Sequence, residues 1–179
     1  MNMGGIDVRK KLVVLRSLRN DDSALLFDWI NSRELRIMNA PFRPTSEAQH
    51  QAWIQWIGSR EDMVIFMIEE LETRHTVGTC QLRSIDPVAQ SAELQIRIGR
   101  TSDQGRGLGG DAVAALVEFG FTDLNLRRIS LQVFASNARA VRVYEGNGFV
   151  VEGCLREAAF VDGKWTDVLC MGTLKAERG

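Results

Sequence analysis

The apolar positions of this chain change period several times, and each change marks an element. Residues 11–18 (KLVVLRSL) concentrate Val and Leu over a strand's length and predict a first β-strand. Asp21, Asp22 and Ser23 then offer N-cap oxygens, while Leu25, Leu26, Trp29 and Ile30 recur at helical spacing, which predicts a helix over about residues 22–31. Pro41 and Pro44 make NAPFRP a loop, and Ser46 followed by Gln49 is a capping box for a second helix carrying Trp53, Ile54 and Ile57. Three strand-like runs follow, MVIFMIEE, TVGTCQLRSI and SAELQIRIG, separated by short polar breaks such as the one near Thr73 to His75. An antiparallel meander joins them most simply. Val113, Leu116, Val117, Gly120, Phe121 and Leu124 restore the pattern of a helix lying on a sheet. RRISLQVF is again a strand. Asn137 is placed to cap a helix through Ala138, Ala140, Val141 and Tyr144, which Asn147-Gly148 would end with a left-handed cap. Strands around 149–151 and 168–174, linked by the hairpin-like LREAAFVDGKW, complete the order β-α-α-β-β-β-α-β-α-β-β. Seven strands and four helices in that order predict an α/β (α+β) fold, a mixed and mostly antiparallel sheet with helices on both faces.

Composition narrows the partners. A length of 179 residues suits a single domain spanning 1–179, and 22 basic against 23 acidic residues leave a net charge of -1, so nothing asks for a nucleic acid. The start, MNMGGIDVRKKL, has no signal-peptide core and no apolar run could cross a bilayer, so no membrane partner and a cytoplasmic location are expected. Cys80, Cys154 and Cys170 are odd in number and form no CxxC, which speaks against a disulfide framework or a zinc site. His50 and His75 are the only imidazoles, too few to make a metal site on their own, and no metal is expected.

Gly105, Gly107 and Gly110 in QGRGLGG spell G-x-G-x-x-G. A dinucleotide fold would need an acid at the end of the next strand, which instead reads VFASN, and a Walker A loop would need Lys where Asp111 stands. What survives is the physics shared by such loops: glycines let backbone amides converge, and a following helix N-terminus favours an anion such as a pyrophosphate. Arg106 and Arg100 could add charge-assisted contacts. A tight strand-to-helix turn with no ligand is the other reading.

The acid-bearing strand AELQIRIG, the loop QGRGLG, and NARAVRVYEGNGF at 137–149, of the form N-x-x-A-x-x-x-Y-x-x-x-G-F, together resemble the GNAT superfamily of acetyl-CoA-dependent N-acetyltransferases. The ending VEGCLREAAFVDGKW is most similar to the branch of ribosomal-protein N-terminal, spermidine and nucleotide-amino-sugar acetyltransferases. The resemblance runs from Glu93 to Leu174; the usual Pro before the loop is absent, and 99–103 makes a slightly lengthened connection. It implies that residues 1–90 form an acceptor-side half and 91–179 an acetyl-CoA-binding half. It implies that backbone amides of Arg106, Gly107, Leu108, Gly109 and Gly110, with Gln104, Gly105 and Arg142 nearby, hold the CoA pyrophosphate. Asn137 would bond along the pantetheine arm, Ala140 would leave room for it, and backbone amides of Ile96, Arg97 and Ile98 would supply an oxyanion contact. Asn137, Ala140 or Val141, and Tyr144 lie three, four and seven residues apart and share one helix face. Tyr144, the only tyrosine, takes the position of the general acid, and Glu93 that of a general base acting through water, for direct attack through a tetrahedral intermediate.

The resemblance implies a primary amine as acceptor, and a small molecule is expected. Arg33, Arg36 and Arg43 against the single Glu34 in 31–43 suggest an acceptor with anionic groups, such as a nucleotide-linked amino sugar or an amino acid derivative. Trp29, Phe42, Trp53 and Trp56 could stack on a base or sugar, although aromatic stripes on helices more often face a core. A polyamine, a protein N-terminus, and a non-catalytic acyl-CoA-binding role remain open. The edges of the open sheet leave room for a homo-oligomer.

Overall fold

The computed structural model describes residues 8–38 and 40–178. Residues 1–7, in the stretch read above for a leader, 39, in the NAPFRP loop, and 179 lie outside the described residues.

Eight strands form one sheet: β1 (Val8–Arg9), β2 (Val13–Ser17), β3 (Val64–Glu70), β4 (Thr76–Asp86), β5 (Ser91–Ile98), β6 (Arg128–Phe134), β7 (Val150–Val161) and β8 (Lys164–Leu174), in spatial order β1-β2-β3-β4-β5-β6-β8-β7. The helices are α1 (Ser23–Asn31), α2 (Arg33–Arg36), α3 (Glu47–Gly58), α4 (Leu108–Thr122) and α5 (Ala138–Gly146). Among the described residues the expected seven strands and four helices thus become eight and five. Both additions, the two-residue β1 and the one-turn α2, are shorter than any hydrophobic period and leave no sequence signal. The LREAAFVDGKW link is not a separate connection but the body of a long hairpin. Its turn is Asp162-Gly163, with φ of 50° and 79°, the two positive angles that a two-residue hairpin turn requires.

Every neighbouring pair is antiparallel except β5 and β6, which run parallel and pair only at Ser91–Arg128, Ala92–Ile129 and Glu93–Ser130. Beyond Glu93 the two strands part.

Ladder partners share a face of the sheet, so two faces can be followed across it. Leu15, Phe66, Ile68, Leu82, Leu94, Ile129 and Leu131 are buried with Ala112, Val113, Leu116 and Val117 of α4, and Tyr144 of α5 joins them. The intervening Met67 points the other way, into a second core with Leu26, Trp29 and Leu35 of α1 and α2. Met67 pairs with Thr79 and Thr79 with Arg97, so Arg97 belongs to the α1–α2 face. Gln95 and Glu93, two and four residues earlier, follow it there.

The two cores meet a buried ionic cluster at the start of α1. Arg16 donates to both carboxylate oxygens of Asp22 at 2.8 Å, to Glu69 at 3.1 Å and to the Thr76 hydroxyl at 3.1 Å. The three charged side chains are 9–11% exposed. Asp22 also accepts from the backbone of Arg19 at 2.8 Å, which ties the end of β2 to the helix.

Candidate active site

A cavity of about 590 Å³ opens where β5 and β6 part, because no strand fills the space beyond Glu93. Asn137, Ala140, Val143 and Tyr144 line it from the α4–α5 face, and Leu35, Met38, Ala40 and Pro41 from the α1–α2 side. A cavity that touches elements on both faces passes through the sheet. Residues 94–98 of β5 pair with β4 on one side only, so the backbone groups that alternate residues, Ile96 and Ile98 among them, turn toward β6 have no strand partner. The Gly99 amide bonds Val77 on the β4 side, and by the same alternation the Arg97 amide, expected at the oxyanion position, faces β4 as well.

One end of the cavity is the glycine loop. Gly105 and Gly107 have φ of 78° and 83°, a left-handed conformation that costs other residues about 1–2 kcal/mol. Gly107 is the N-cap of α4 and brings no side chain, so the first-turn amides keep no capping partner and the positive end of the helix faces outward. Gly105, Gly107, Gly109 and Gly110 all line the cavity, while Leu108 turns into the core. Asp111 accepts the amides of Leu12 at 2.7 Å and Val13 at 3.2 Å, so the residue at the Walker lysine position secures strand to helix. Uncapped amides over a glycine turn fit a pyrophosphate. Gly107→Ala is expected to weaken acetyl-CoA about tenfold, the equivalent of that backbone strain, as read by calorimetric titration.

Three side chains expected at this end stand elsewhere. Arg106 pairs with Glu70 at the end of β3 and with Asp103 at 3.3 Å, so its guanidinium is committed to carboxylates and only its amide belongs to the loop. Arg142 is on the exposed side of α5 and does not line the cavity, and neither does the exposed Arg100. Gln104 accepts a hydrogen bond from Arg139, which latches the loop to α5. Asn137 caps α5 as its position predicts, its Oδ1 accepting from the Ala140 amide at 3.2 Å, which leaves its Nδ2 as a donor at the cavity wall.

At the middle of the cavity stands Tyr144, 8% exposed and edge-on to Phe149 at 5.9 Å. Among the described residues its hydroxyl has no protein partner, and burial pushes its pKa up to about 12. The phenol therefore stays protonated throughout the physiological range. Glu93 occupies the last rung before the strands part, where Arg83 on β4 holds its carboxylate at 2.5 Å. Tyr144 and Glu93 reach the same cavity from opposite faces of the sheet.

The acceptor side is assembled differently from the sequence expectation. Trp29 is 4% exposed and packs on Gly99, where a Cβ would come within 2.0 Å of its ring. It is part of the core and offers no stacking surface. Arg33 pairs at 2.5 Å with Asp162 in the β7–β8 turn, clasping α2 to the hairpin. Phe42, half-buried, and Arg43, exposed, do not line the cavity; Ala40 and Pro41 of the same loop do. Trp53 joins the second core and Trp56 lies under Arg60 at 4.8 Å. The polar groups that do line this side are Arg83, Glu93, Gln95, Arg97 and Gln132. The motifs above give no role to Arg83 or to the Arg97 side chain. The signal was the alternation in AELQIRI, whose polar members Glu93, Gln95 and Arg97 must face away from α4.

A parallel pair that splays over a glycine loop, with a buried tyrosine facing a glutamate through the gap, defines an acyl-CoA transferase architecture. The chain belongs to the GNAT acetyltransferases: the family model described as an Acetyltransferase (GNAT) domain matches residues 13–150. It is an N-acetyltransferase that uses acetyl-CoA. Over 170 residues it is 32% identical to the uncharacterized N-acetyltransferase p20 of Bacillus licheniformis, covering 92% of this chain and 94% of that one. It is 36% identical over 112 residues to the spermidine N(1)-acetyltransferase of Vibrio cholerae, covering 63% of this chain and 64% of that one. The crystal structure of spermidine N-acetyltransferase from Vibrio cholerae in complex with CoA and spermine superposes with a TM-score of 0.87 at 28% identity, covering 94% of this chain and 98% of that one. Among the described residues no helix is long and apolar enough to cross a membrane.

Proposed function

We propose that this chain moves the acetyl group directly from acetyl-CoA, bound on the α4–α5 face, to a primary amine that enters from the α1–α2 face. The observation that carries this is the cavity through the sheet, which Tyr144 and Glu93 line from opposite sides. Residues 91–179 supply the loop and α5 for the donor; residues 1–90 supply Leu35, Met38, Ala40, Pro41 and Arg83 for the acceptor.

The thioester supplies an electrophilic carbonyl and a thiolate leaving group. An ammonium first loses a proton, through water, to Glu93; the free amine then forms the C–N bond in a tetrahedral intermediate, the nitrogen gives its second proton to water, and the C–S bond breaks as the intermediate collapses. Tyr144 donates its hydrogen to the sulfur as negative charge develops there. A phenol at about 12 is a weaker acid than a thiol in water at about 8.5, so outright transfer would be uphill if the thiol kept that value. Burial raises thiols too, as it does for Cys80 in this protein, and narrows that gap. Unpaired β5 amides receive the carbonyl oxygen.

A polyamine is the acceptor that the likeness to spermidine N-acetyltransferases supports. A second reading, an amine that carries anionic groups, is favoured by the two arginines and single glutamate on the acceptor wall. A thiol-release screen with acetyl-CoA against polyamines, amino acids, N-terminal peptides, aminoglycosides and nucleotide amino sugars tests the proposal. Release that depends on an added amine is the expected result; CoA binding with no release for any amine would favour a non-catalytic acyl-CoA-binding role.

A further inference from the structure

The acceptor wall holds more positive charge than the fold can account for. Nε of Arg36 and Nε of Arg97 are both buried without a hydrogen-bond partner, although most buried polar atoms in proteins have one. Neither guanidinium takes part in any ion pair among the described residues; Arg33, Arg83, Arg106 and Arg128 all do. Burial lowers the pKa of Arg97, and the one charge that acts on it, Arg36, lowers it further. Glu93 is the nearest acid on the same strand face, but it is four residues back along β5, about 13 Å at strand spacing, and it is already paired with Arg83. Two cations brought together in a partly dry wall are unfavourable on their own. The arrangement becomes favourable when an anion sits between them, and a single negative charge would neutralise only one. Arg97 lines the cavity directly; Arg36, expected at the acceptor, does not, and stands behind its neighbour on α2, Leu35, which does.

We infer that Arg97 and Arg36 form an anion subsite on the acceptor side of the cavity, built for a doubly charged phosphoryl group carried by the amine substrate. This rests on the N-acetyltransferase reading for the amine but not for the anion. The subsite is separate from the glycine loop, which lies beyond the gap at the start of α4. Arginine suits this task because its planar fork bonds phosphate oxygens in pairs, including through the Nε atoms that lack partners here. It also specifies against a polyamine, whose charge matches that of the wall.

The test uses the full chain saturated with CoA, so that the glycine loop is filled, and titrates it calorimetrically with glucosamine 6-phosphate, glucosamine and spermidine. Glucosamine 6-phosphate should bind at least about tenfold more tightly than glucosamine, the size of a charge-assisted pair, and spermidine more weakly than either. Arg97→Gln and Arg36→Gln should each remove most of that preference with CoA affinity unchanged, and Arg97→Lys should restore part of it. Equal binding of the two sugars, tighter binding of spermidine, or a phosphate preference that survives Arg97→Gln would overturn the subsite. Thiol release from acetyl-CoA, followed on the same proteins without added CoA, separates the two claims. A phosphate preference without release for any amine upholds the subsite and overturns the transferase proposal; release without the preference does the reverse.

Discussion

Replacing Tyr144 by Phe should lower kcat by about 10²–10⁴-fold while acetyl-CoA affinity and stability stay nearly unchanged. The substitution deletes one hydroxyl that bonds no protein group among the described residues, and the ring keeps its edge-on contact with Phe149. Loss of turnover therefore reports the missing hydrogen at the sulfur and not a collapsed wall. The pH profile gives an independent reading. Burial holds the phenol protonated until about pH 12, so the active form is lost only as pH rises through that value. For the wild type, kcat should rise with pH as the ammonium deprotonates and then stay flat to the highest pH the fold tolerates. An alkaline fall centred near pH 10 in the wild type and absent from Tyr144→Phe would show that the hydroxyl titrates as an exposed tyrosine, contrary to the buried geometry.

Arg16→Met should cost about 3 kcal/mol of folding stability, because it leaves the buried Asp22 carboxylate without its ion-pair partner, while Glu69 keeps only Arg74, at 3.0 Å. Urea denaturation would read this directly. In the intact cluster, burial pushes the Asp22 carboxyl up, but hydrogen bonds from Arg16 and the Arg19 backbone together with the Arg16 charge outweigh it and hold the net pKa below the ordinary value. The linkage sign follows: the folded carboxyl binds its proton less readily than the unfolded one, so its stabilisation is full above the unfolded value of 3.8 and is lost as pH falls through the lower folded one. Without Arg16 its hydrogen bond and charge no longer oppose the burial, and mild acid should narrow the gap between variant and wild type. Two wild-type-like curves would mean that the cluster adds nothing. The effect reaches the active site through neighbours, since Glu69 is followed by Glu70, which holds Arg106 of the glycine loop.

What could be read from the residues follows the range of the forces involved. The cap of α5 at Asn137, its end at Asn147-Gly148, the Ser46–Gln49 capping box and the glycine loop all depend on neighbours within a few positions, and each stands as expected. The fate of long side chains does not. Arg106 was free to aim at a phosphate until the fold delivered Glu70, 36 residues away, and Arg33 until it delivered Asp162, 129 residues away. Trp29 becomes a core residue only because Gly99, distant in sequence and just past the end of β5, leaves a gap for its ring. The acceptor wall was half visible: the alternation of AELQIRI fixes the facing of Glu93 and Arg97, but Arg83 arrives only through the β4–β5 register.

In the transfer proposed here the passage through the sheet holds donor and acceptor at once, which requires both to be bound before the acetyl group moves. Among the described residues no cysteine lines it to carry the group in between: Cys80 is buried in the core and Cys154 and Cys170 are on the β7–β8 hairpin. The most direct measurement is the initial velocity of thiol release with acetyl-CoA and an active amine varied against each other. Intersecting double-reciprocal lines, with no acetylated protein found by mass spectrometry when amine is left out, are the expected result. Parallel lines together with a trapped acetyl-enzyme would contradict direct transfer across the gap between β5 and β6.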